Sequence, residues 1–159
     1  MLQYLYKISG EWTMNFHPQK SIMHKLIQLQ RQDHSIVAAV VDNNNMIISI
    51  GKTTVLDNHD PTSHAEVNAL RSACKQLKTH ILPEGYWLYS TFEPCPLCSS
   101  VIIWAGIDGV VYSNNPTYRG KEENWSFISC EEVLKKGSYI HDVSLIKDFM
   151  IDDIKDYFT

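Results

Sequence analysis

The chain has 159 residues, of which 44% are hydrophobic and 20% charged, and its formal net charge is −4. These values are typical of a globular protein, so we expect one domain over residues 1–159, with residues 1–20 as a possible N-terminal extension. We find neither a run of about 18 apolar residues nor a secretory signal, which predicts a cytoplasmic protein without a membrane span. The acidic balance argues weakly against a protein whose main ligand is a nucleic acid.

The first part of the chain predicts a helix followed by a hairpin. Residues 1–20 could form an extra strand, a dimer contact or a tail. Ser21 is expected to cap a helix, because apolar residues then recur at helical spacing. These residues are Ile22, Leu26 and Leu29. Apolar runs at 35–41 and 46–50 flank a cluster of Asp and Asn residues, which favours a β-hairpin. Residues 52–63 are polar and irregular, so we expect a loop.

The middle of the chain predicts helix, strand and helix. The second helix should run from about Ala65 to Leu77, with an apolar stripe on one side. Residues 86–92 are rich in aromatic side chains and predict a strand. Pro94 or Pro96 should start a third helix that ends near Ala105, since proline is tolerated in the first helical turn.

The last third predicts a strand at 109–113, a polar loop at 114–124 and a short helix at 131–136. We expect the tail from Leu145 to be a helix, because its apolar residues again recur at helical spacing. These are Ile146, Met150, Ile154 and Tyr157 or Phe158. The alternation of helices and strands predicts an α/β sandwich with a mixed sheet.

Two short motifs carry metal-binding side chains. His64 and Glu66 stand in one, and Cys95 and Cys98 are spaced C-x-x-C in the other. Zinc in proteins is usually held by imidazole and thiolate, with four protein ligands in a structural site and three plus water in a catalytic one. One histidine and two cysteines with no fourth ligand in the motifs predict a catalytic zinc site.

Glu66 is predicted to move protons. Residues two apart on a regular helix point in different directions, so we expect His64 at the cap position, where the backbone is not yet helical. From there His64 can bind the metal while Glu66 reaches the water beside it.

Other interpretations of the cysteines stay open. The C-x-x-C pair could be a redox site, and Cys130 or His59 could complete a structural zinc site. Cys74 lies on the apolar stripe of the second helix and is expected to be a small core residue. The remaining histidines are expected to be solvated or incidental. They are His17, His24, His34, His80 and His141.

Two longer strings, residues 60–66 (DPTSHAE) and 88–98 (LYSTFEPCPLC), resemble the cytidine-deaminase-like superfamily, and most closely its guanine deaminase and tRNA adenosine deaminase branch. The signature H-x-E with P-C-x-x-C is the mark of zinc deaminases. The resemblance implies a three-layer α/β/α sandwich around a mixed sheet of about five strands, and a homodimer. It also implies that an exocyclic amine is replaced hydrolytically by oxygen, with release of ammonia.

The resemblance further implies a role for each site residue. His64, Cys95 and Cys98 would hold Zn²⁺, and Glu66 would carry protons from water to the substrate. The backbone N–H of Ala65 would contact the substrate.

Two positions depart from the pattern of the family. Thr53 stands where the family often has an asparagine that contacts the base, and Gly106 stands where it often has an arginine. Threonine cannot present the paired donor and acceptor of an amide.

The resemblance favours a nucleobase or nucleoside deaminase acting on guanine or another purine. A tRNA-specific adenosine deaminase is the alternative within the family, and a non-catalytic, zinc-stabilised interaction domain is the alternative from another class. The tRNA alternative is disfavoured because the basic residues are scattered along the sequence. They include Lys20, Lys25, Arg31, Arg71, Lys75, Lys78, Arg119 and Lys121.

Overall fold

The computed structural model describes residues 4–8, 11–15, 17–114 and 127–155. The strands are β1 (Tyr4–Ile8), β2 (Glu11–Asn15), β3 (Val37–Val41), β4 (Ile47–Lys52), β5 (Trp87–Phe92), β6 (Gly109–Asn114) and β7 (Ser144–Ile146). The α-helices are α1 (Lys20–Asp33), α2 (Val55–Asn58), α3 (Ala65–Leu77), α4 (Pro96–Trp104) and α5 (Cys130–Lys136), and a 3₁₀ turn covers Ile151–Asp153. In the described part of the chain, no helix has both the length and the apolar composition of a membrane span.

A mixed five-stranded sheet organises the fold, as predicted. Its strand order is β4-β3-β5-β6-β7. β3 runs antiparallel to β4 and β5, whereas β5, β6 and β7 run parallel to one another. β1 and β2 form a separate antiparallel hairpin, so the N-terminal region contains strand structure, one of the alternatives raised by the sequence.

The predicted hairpin of β3 and β4 is confirmed, and its turn is built by one carboxylate. Asp42 Oδ1 accepts hydrogen bonds from the backbone N–H groups of Asn44 and Met46, at 2.8 and 2.9 Å. Asn45 adopts a left-handed conformation with φ of 62°, which asparagine tolerates better than most residues. The Asp/Asn cluster therefore reverses the chain by a recognisable local mechanism.

Helices cover both faces of the sheet and complete three layers. The apolar sides of α3, α4 and α5 pack on one face, where Leu70, Ile102 and Leu134 are buried. α1 packs on the other face through Met23 and Leu26, which are wholly buried. The alternating side chains of β5 supply both cores, because Leu88 faces α3 and α4 while Trp87 faces the side of α1.

The prediction of a C-terminal helix is wrong. Ser144–Ile146 forms β7 instead, paired in parallel with β6. Asp148 and Met150 have φ values of 55° and 60°, which interrupt a right-handed helix. The apolar spacing arises because Ile146, Met150 and Ile154 close the core on the α1 side of the sheet. Tyr157 and Phe158, and nearly all of the predicted loop at 114–124, lie outside the described residues.

The predicted cap of α1 is also wrong. The cap residue is Gln19, and Ser21 already lies inside the helix with its side chain exposed. Residues 52–63 are not wholly irregular either, because they contain the short helix α2. The predicted bounds of α3 are confirmed at Ala65 and Leu77, and α4 begins at Pro96, the second of the two prolines proposed.

Candidate metal centre

The starts of α3 and α4 bring the two motifs together. His64 is the cap residue of α3 and has extended backbone angles, as predicted from the spacing of His64 and Glu66. Cys95 is the cap residue of α4, and Pro96 occupies the first helical position, where its missing N–H costs no hydrogen bond. Cys98 lies in the first turn of the same helix, so both thiols point towards the start of α3.

Three donor atoms form a nearly equilateral triangle. His64 Nδ1 lies 3.5 Å from Cys95 Sγ and 3.6 Å from Cys98 Sγ. The two sulfurs are 3.6 Å apart. In a tetrahedral zinc site, the usual bond lengths place two sulfurs about 3.8 Å apart and sulfur and nitrogen about 3.6 Å apart. The residues present therefore fit a zinc ion without rearrangement.

The pKa values of the two thiols in this triangle are shifted in opposite directions. A hydrogen bond from Cys98 and a further one with the His64 imidazole lower the pKa of Cys95. The pKa of Cys98 is raised, because its proton is shared with Cys95 and because the thiol is buried near Glu66. A bound cation would favour the thiolate form of both cysteines.

Glu66 lies beside the triangle in a dry environment. The side chain is 4% exposed, and Oε2 lies 3.4 Å from Cys98 Sγ. Burial raises the pKa of Glu66, so this carboxyl holds a proton more readily than a solvated one. Ser90 on β5 donates a hydrogen bond of 3.1 Å to Glu66 Oε1, which fixes the orientation of the carboxylate.

The loop before His64 is held by a short network of hydrogen bonds. Asp60 accepts from the backbone N–H and the hydroxyl of Thr62, at 2.8 and 2.7 Å, and from the hydroxyl of Ser63 at 2.8 Å. The bonds from Thr62 lower the pKa of Asp60 to about 2. Arg71 also donates to the Thr62 hydroxyl at 2.8 Å, so the loop is tied to α3.

Gly51 lets β4 approach the first turns of α3 at backbone contact. A Cβ atom at this position would overlap the Ala65 carbonyl oxygen and the Ala69 amide nitrogen. Only glycine fits at this position, so the contact sets the distance between α3 and the sheet. That distance in turn determines where His64 and Glu66 lie.

The two positions predicted to contact a substrate, Ala65 and Thr53, lie on segments next to His64, whereas Gly106 lies at the far end of α4. Ala65 is wholly buried at the first position of α3, where no carbonyl of the same helix can accept its N–H. Thr53 follows β4 and lines a groove of about 430 Å³ together with Ile36 and Val55. Gly106 ends α4 with φ of 68°, a conformation that favours glycine, so the fold gives this position a backbone role.

The alternative fourth ligands lie outside the triangle. Within the described residues, the set of side chains that brings metal-binding atoms within 4.8 Å of one another consists of His64, Cys95 and Cys98. Cys130 is a buried thiol whose pKa burial raises to about 12, and His59 is exposed at the end of α2. His64 Nδ1 lies at nearly the same distance from both sulfurs. A redox pair of cysteines does not require this arrangement, whereas a shared metal ion does.

The prediction for the remaining histidines is wrong at two positions. His17 is buried, stacks on Trp87 at 4.2 Å between ring centroids, and forms a 2.7 Å hydrogen bond with the Tyr89 hydroxyl. His141 Nε2 lies 3.0 Å from Asp108 Oδ1 and is partly buried. Cys74 is half-buried and packs against the core on the α3 side of the sheet, as predicted for a small apolar residue.

Sequence reasoning missed Ser90 and Gly51. A serine inside a strand of buried residues was a signal for Ser90, because strand alternation places it on the same face as Leu88, under α3. The close contact of Gly51 with α3 depends on packing that no local pattern reveals.

A family model described as the "Cytidine and deoxycytidylate deaminase zinc-binding region" matches residues 15–114. The guanine deaminase of Bacillus subtilis (strain 168) is 42% identical over 79 residues, which are 50% of this chain and 50% of that protein. The tRNA-specific adenosine deaminase of Aquifex aeolicus (strain VF5) is 40% identical over 77 residues, 48% of this chain and 50% of that protein. The chain thus spans about half the length of the curated relatives it matches.

Solved structures show the same fold. The guanine deaminase of Nitrosomonas europaea superposes with a TM-score of 0.73 at 20% identity, over 90% of this chain and 86% of that one. The guanine deaminase of Bacillus subtilis superposes with a TM-score of 0.57 at 32% identity, over 63% of this chain and 66% of that one. Since the family match covers well over half of the sequence and includes both motifs of the triangle, the chain belongs to the cytidine and deoxycytidylate deaminase zinc-binding family.

Proposed function

We propose that this protein is a zinc-dependent hydrolytic deaminase of a nucleobase or nucleoside, with guanine or another purine as the favoured substrate. One observation carries the proposal. The buried carboxylate of Glu66 lies 3.4 Å from Cys98 Sγ, directly beside a triangle of three metal-binding atoms. Three protein ligands leave one position of a tetrahedral ion open for water.

His64, Cys95 and Cys98 would hold the zinc. When bound, zinc supplies a Lewis acid that makes a coordinated water more acidic. Two thiolates offset its charge of 2+, so the site is close to neutral before the water loses a proton. No other described side chain is needed to complete the ligand set.

Glu66 would move the protons of the reaction. It accepts a proton from the attacking water and delivers it to a ring nitrogen of the substrate. The second proton of the water reaches the departing amine, which leaves as ammonia, and the carbonyl oxygen of the product comes from water. A pKa raised by burial suits this double role, because the group must both take and give a proton near neutral pH.

Thr53 and the Ala65 N–H are proposed to hold the substrate. Thr53 directly follows β4, in the segment that is hydrogen-bonded to Ser63, and Ala65 occupies the first position of α3. Among the described residues, the groove of about 430 Å³ beside Thr53 is lined by neither Ala65 nor the metal-binding triangle, so the proposed contact rests on the position of Thr53 rather than on the size of this groove.

A small substrate is favoured over tRNA by the pairing of surface charges. Five of the fourteen lysine and arginine side chains form ion pairs with carboxylates of this chain, which leaves fewer cations to meet phosphates. The pairs are Lys52–Asp33, Arg71–Asp60, Lys136–Glu132, Lys147–Glu131 and Lys155–Asp152. A tRNA-specific adenosine deaminase remains the second candidate, supported by the similarity to the Aquifex aeolicus protein of that name.

The proposal is tested by metal analysis and an ammonia-release assay over guanine, adenosine, cytidine and cytosine. We expect about one zinc per chain and release of ammonia from guanine or another purine. The Glu66→Gln variant should retain zinc and lose a factor of about 10²–10⁴ in kcat. Glu93→Gln is a matched control, because Glu93 is also a buried carboxylate near Cys95 but accepts a hydrogen bond from the Cys130 N–H.

Other outcomes identify the competing functions. Full turnover by the zinc-loaded Glu66→Gln variant would contradict the proton role. Bound zinc without ammonia from any of the four substrates, together with no affinity for tRNA, would favour the interaction domain. Affinity for a tRNA anticodon stem-loop that falls steeply with salt would favour the tRNA enzyme.

We also propose a homodimer, as the resemblance implies, and a cytoplasmic location, as the sequence predicts. The outer side of α4 offers an apolar surface for such a contact, since Leu97 and Trp104 are 39% and 68% exposed. Sedimentation equilibrium tests the dimer, and a monomer at micromolar concentration would contradict it.

A further inference from the structure

The side chain of Asn68 gathers three oxygen atoms from two separate segments. Its Nδ2 lies 2.8 Å from the Lys52 carbonyl oxygen, 3.0 Å from Thr54 Oγ1 and 3.3 Å from the Ser63 carbonyl oxygen. Two of these partners are carbonyls, which only accept, so the nitrogen end of the amide must face them. Asn68 lies in the second turn of α3 and is half-buried.

These contacts join the two parts of the candidate site. Lys52 and Thr54 flank Thr53, the proposed substrate contact. Ser63 directly precedes His64, the proposed metal ligand. A backbone hydrogen bond of 2.9 Å from the Thr54 N–H to the Ser63 carbonyl oxygen joins the same two segments.

We propose that Asn68 is a positioning residue, which fixes the substrate contact Thr53 relative to the metal ligand His64. This inference rests on the proposed function. Asn68 does not line the groove itself, and it holds the Lys52 carbonyl on one side of Thr53 and the Thr54 hydroxyl on the other. Its effect is therefore on substrate binding, while the metal stays in place because His64 and the two cysteines keep their own helix starts.

The chemistry of the contact explains why an amide is required. An –NH₂ group supplies two N–H donors to the surrounding oxygens. A carboxylate of the same shape would present only acceptors to two carbonyl oxygens, and an alanine would leave the two segments unlinked on this side. The neighbouring Asn58 donates to Thr54 Oγ1 at 2.9 Å but does not bond to Lys52, so it cannot link the two segments in place of Asn68.

The test compares Asn68→Ala and Asn68→Asp with matched changes at Gln76. Gln76 lies on the same helix, and its amide donates to Ser72 Oγ at the exposed surface. Gln76→Ala and Gln76→Glu therefore repeat the chemical change away from the site. Asn68→Ser serves as a milder variant if either Asn68 change prevents folding.

Three measurements are made on the zinc-loaded protein. Amide hydrogen exchange in residues 52–54 should become faster by about five- to tenfold in the Asn68 variants, because one anchoring contact is lost. Zinc affinity, measured by competition with a chromophoric chelator, should change less than about threefold. With a purine substrate, KM should rise by about five- to tenfold while kcat changes less. The Gln76 variants should match the unmodified protein in all three.

Two results would overturn the inference. One is unchanged exchange at 52–54 in the Asn68 variants. The other is a loss of zinc affinity that accompanies a fall in kcat at constant KM, which would make Asn68 a support of the metal ligand alone. If the unmodified protein turns over no purine, the proposed function fails, and the exchange and zinc measurements still decide whether Asn68 holds the two segments together.

Discussion

The hydroxyl of Ser90, a residue of β5, donates a 3.1 Å hydrogen bond to Glu66 Oε1 on α3, and both side chains are buried. This bond comes from the sheet, whereas the proposed metal ligands come from the helix starts above it. The carboxylate is therefore held between Ser90 on one side and the Cys98 thiol on the other. Its orientation depends on the packing of α3 on β5.

Removing this bond should slow the reaction without removing the metal. We predict that Ser90→Ala lowers kcat by about tenfold, since a hydrogen bond to a charged group contributes about 1.5–3 kcal/mol and part of this is recovered by rearrangement. Ser90→Thr retains the hydroxyl and should stay within about threefold. The measurements are kcat from ammonia release and the zinc content of each variant. Equal kcat for the alanine and threonine variants would show that the hydroxyl does not orient Glu66.

Loss of one thiol should weaken zinc binding and the stability that binding provides. We predict that Cys98→Ser lowers zinc affinity by more than about 100-fold and reduces the rise in Tm on zinc addition, because a ligand that binds only the folded state stabilises it by mass action. Cys74→Ser is the control, since Cys74 is a free, half-buried thiol on α3 and is not part of the metal-binding triangle. Chelator competition and thermal unfolding provide the data. A normal zinc affinity in Cys98→Ser would exclude Cys98 as a ligand.

A methyl group at Gly51 should displace α3 and with it the metal centre. The added Cβ would overlap backbone atoms of Ala65 and Ala69, which cannot move without shifting the helix. We predict that Gly51→Ala lowers the free energy of unfolding by about 3 kcal/mol or more and weakens zinc binding. Gly137→Ala is the control, because its closest contact is the flexible end of the Ile103 side chain. Urea unfolding of both variants, with and without zinc, measures the difference, and equal losses in the two would contradict this account.

His17 should make the fold sensitive to acid. Burial lowers the pKa of His17 to about 4, so the folded state keeps the imidazole neutral while the unfolded chain binds a proton near pH 6.5. Its contribution to stability is present above pH 6.5 and is lost as the pH falls from 6.5 towards 4. Between pH 7 and pH 5 the loss from this residue is about 2 kcal/mol.

The measurement uses metal-free protein, because acid also releases zinc from its ligands. We predict that His17→Asn flattens the change in the free energy of unfolding between pH 7 and pH 5, whereas His80→Gln, at an exposed histidine, leaves it unchanged. Urea unfolding at the two pH values gives the slopes. The same pH dependence in the His17 variant and the unmodified protein would show that the burial of His17 does not control acid stability.

Local patterns predicted most elements because their signals are local. The Asp/Asn cluster at 42–45 turns the hairpin by side-chain hydrogen bonds, and the proline at 96 starts α4 by its fixed φ. The tail was predicted wrongly as a helix because the apolar residues at 146, 150 and 154 recur at helical spacing. In the structure they belong to β7 and to the turns after it, and they pack against the core on one face of the sheet. Burial of His17 escaped prediction because its partners, Trp87 and Tyr89, lie some 70 residues away in the sequence.

The sequence by itself determined which side chains can bind a metal and move a proton, because residue type and spacing set that chemistry: an imidazole with a nearby acid, and two thiols three residues apart behind a proline. Only the tertiary structure decided that His64, Cys95 and Cys98 meet within 3.6 Å. It also decided that Ser90 bonds to Glu66, that Gly51 touches α3 and that Asn68 bonds to the Lys52 carbonyl beside Thr53. Those contacts join distant segments through β4, β5 and two helix starts. Their geometry is fixed by packing, which no short stretch of sequence encodes.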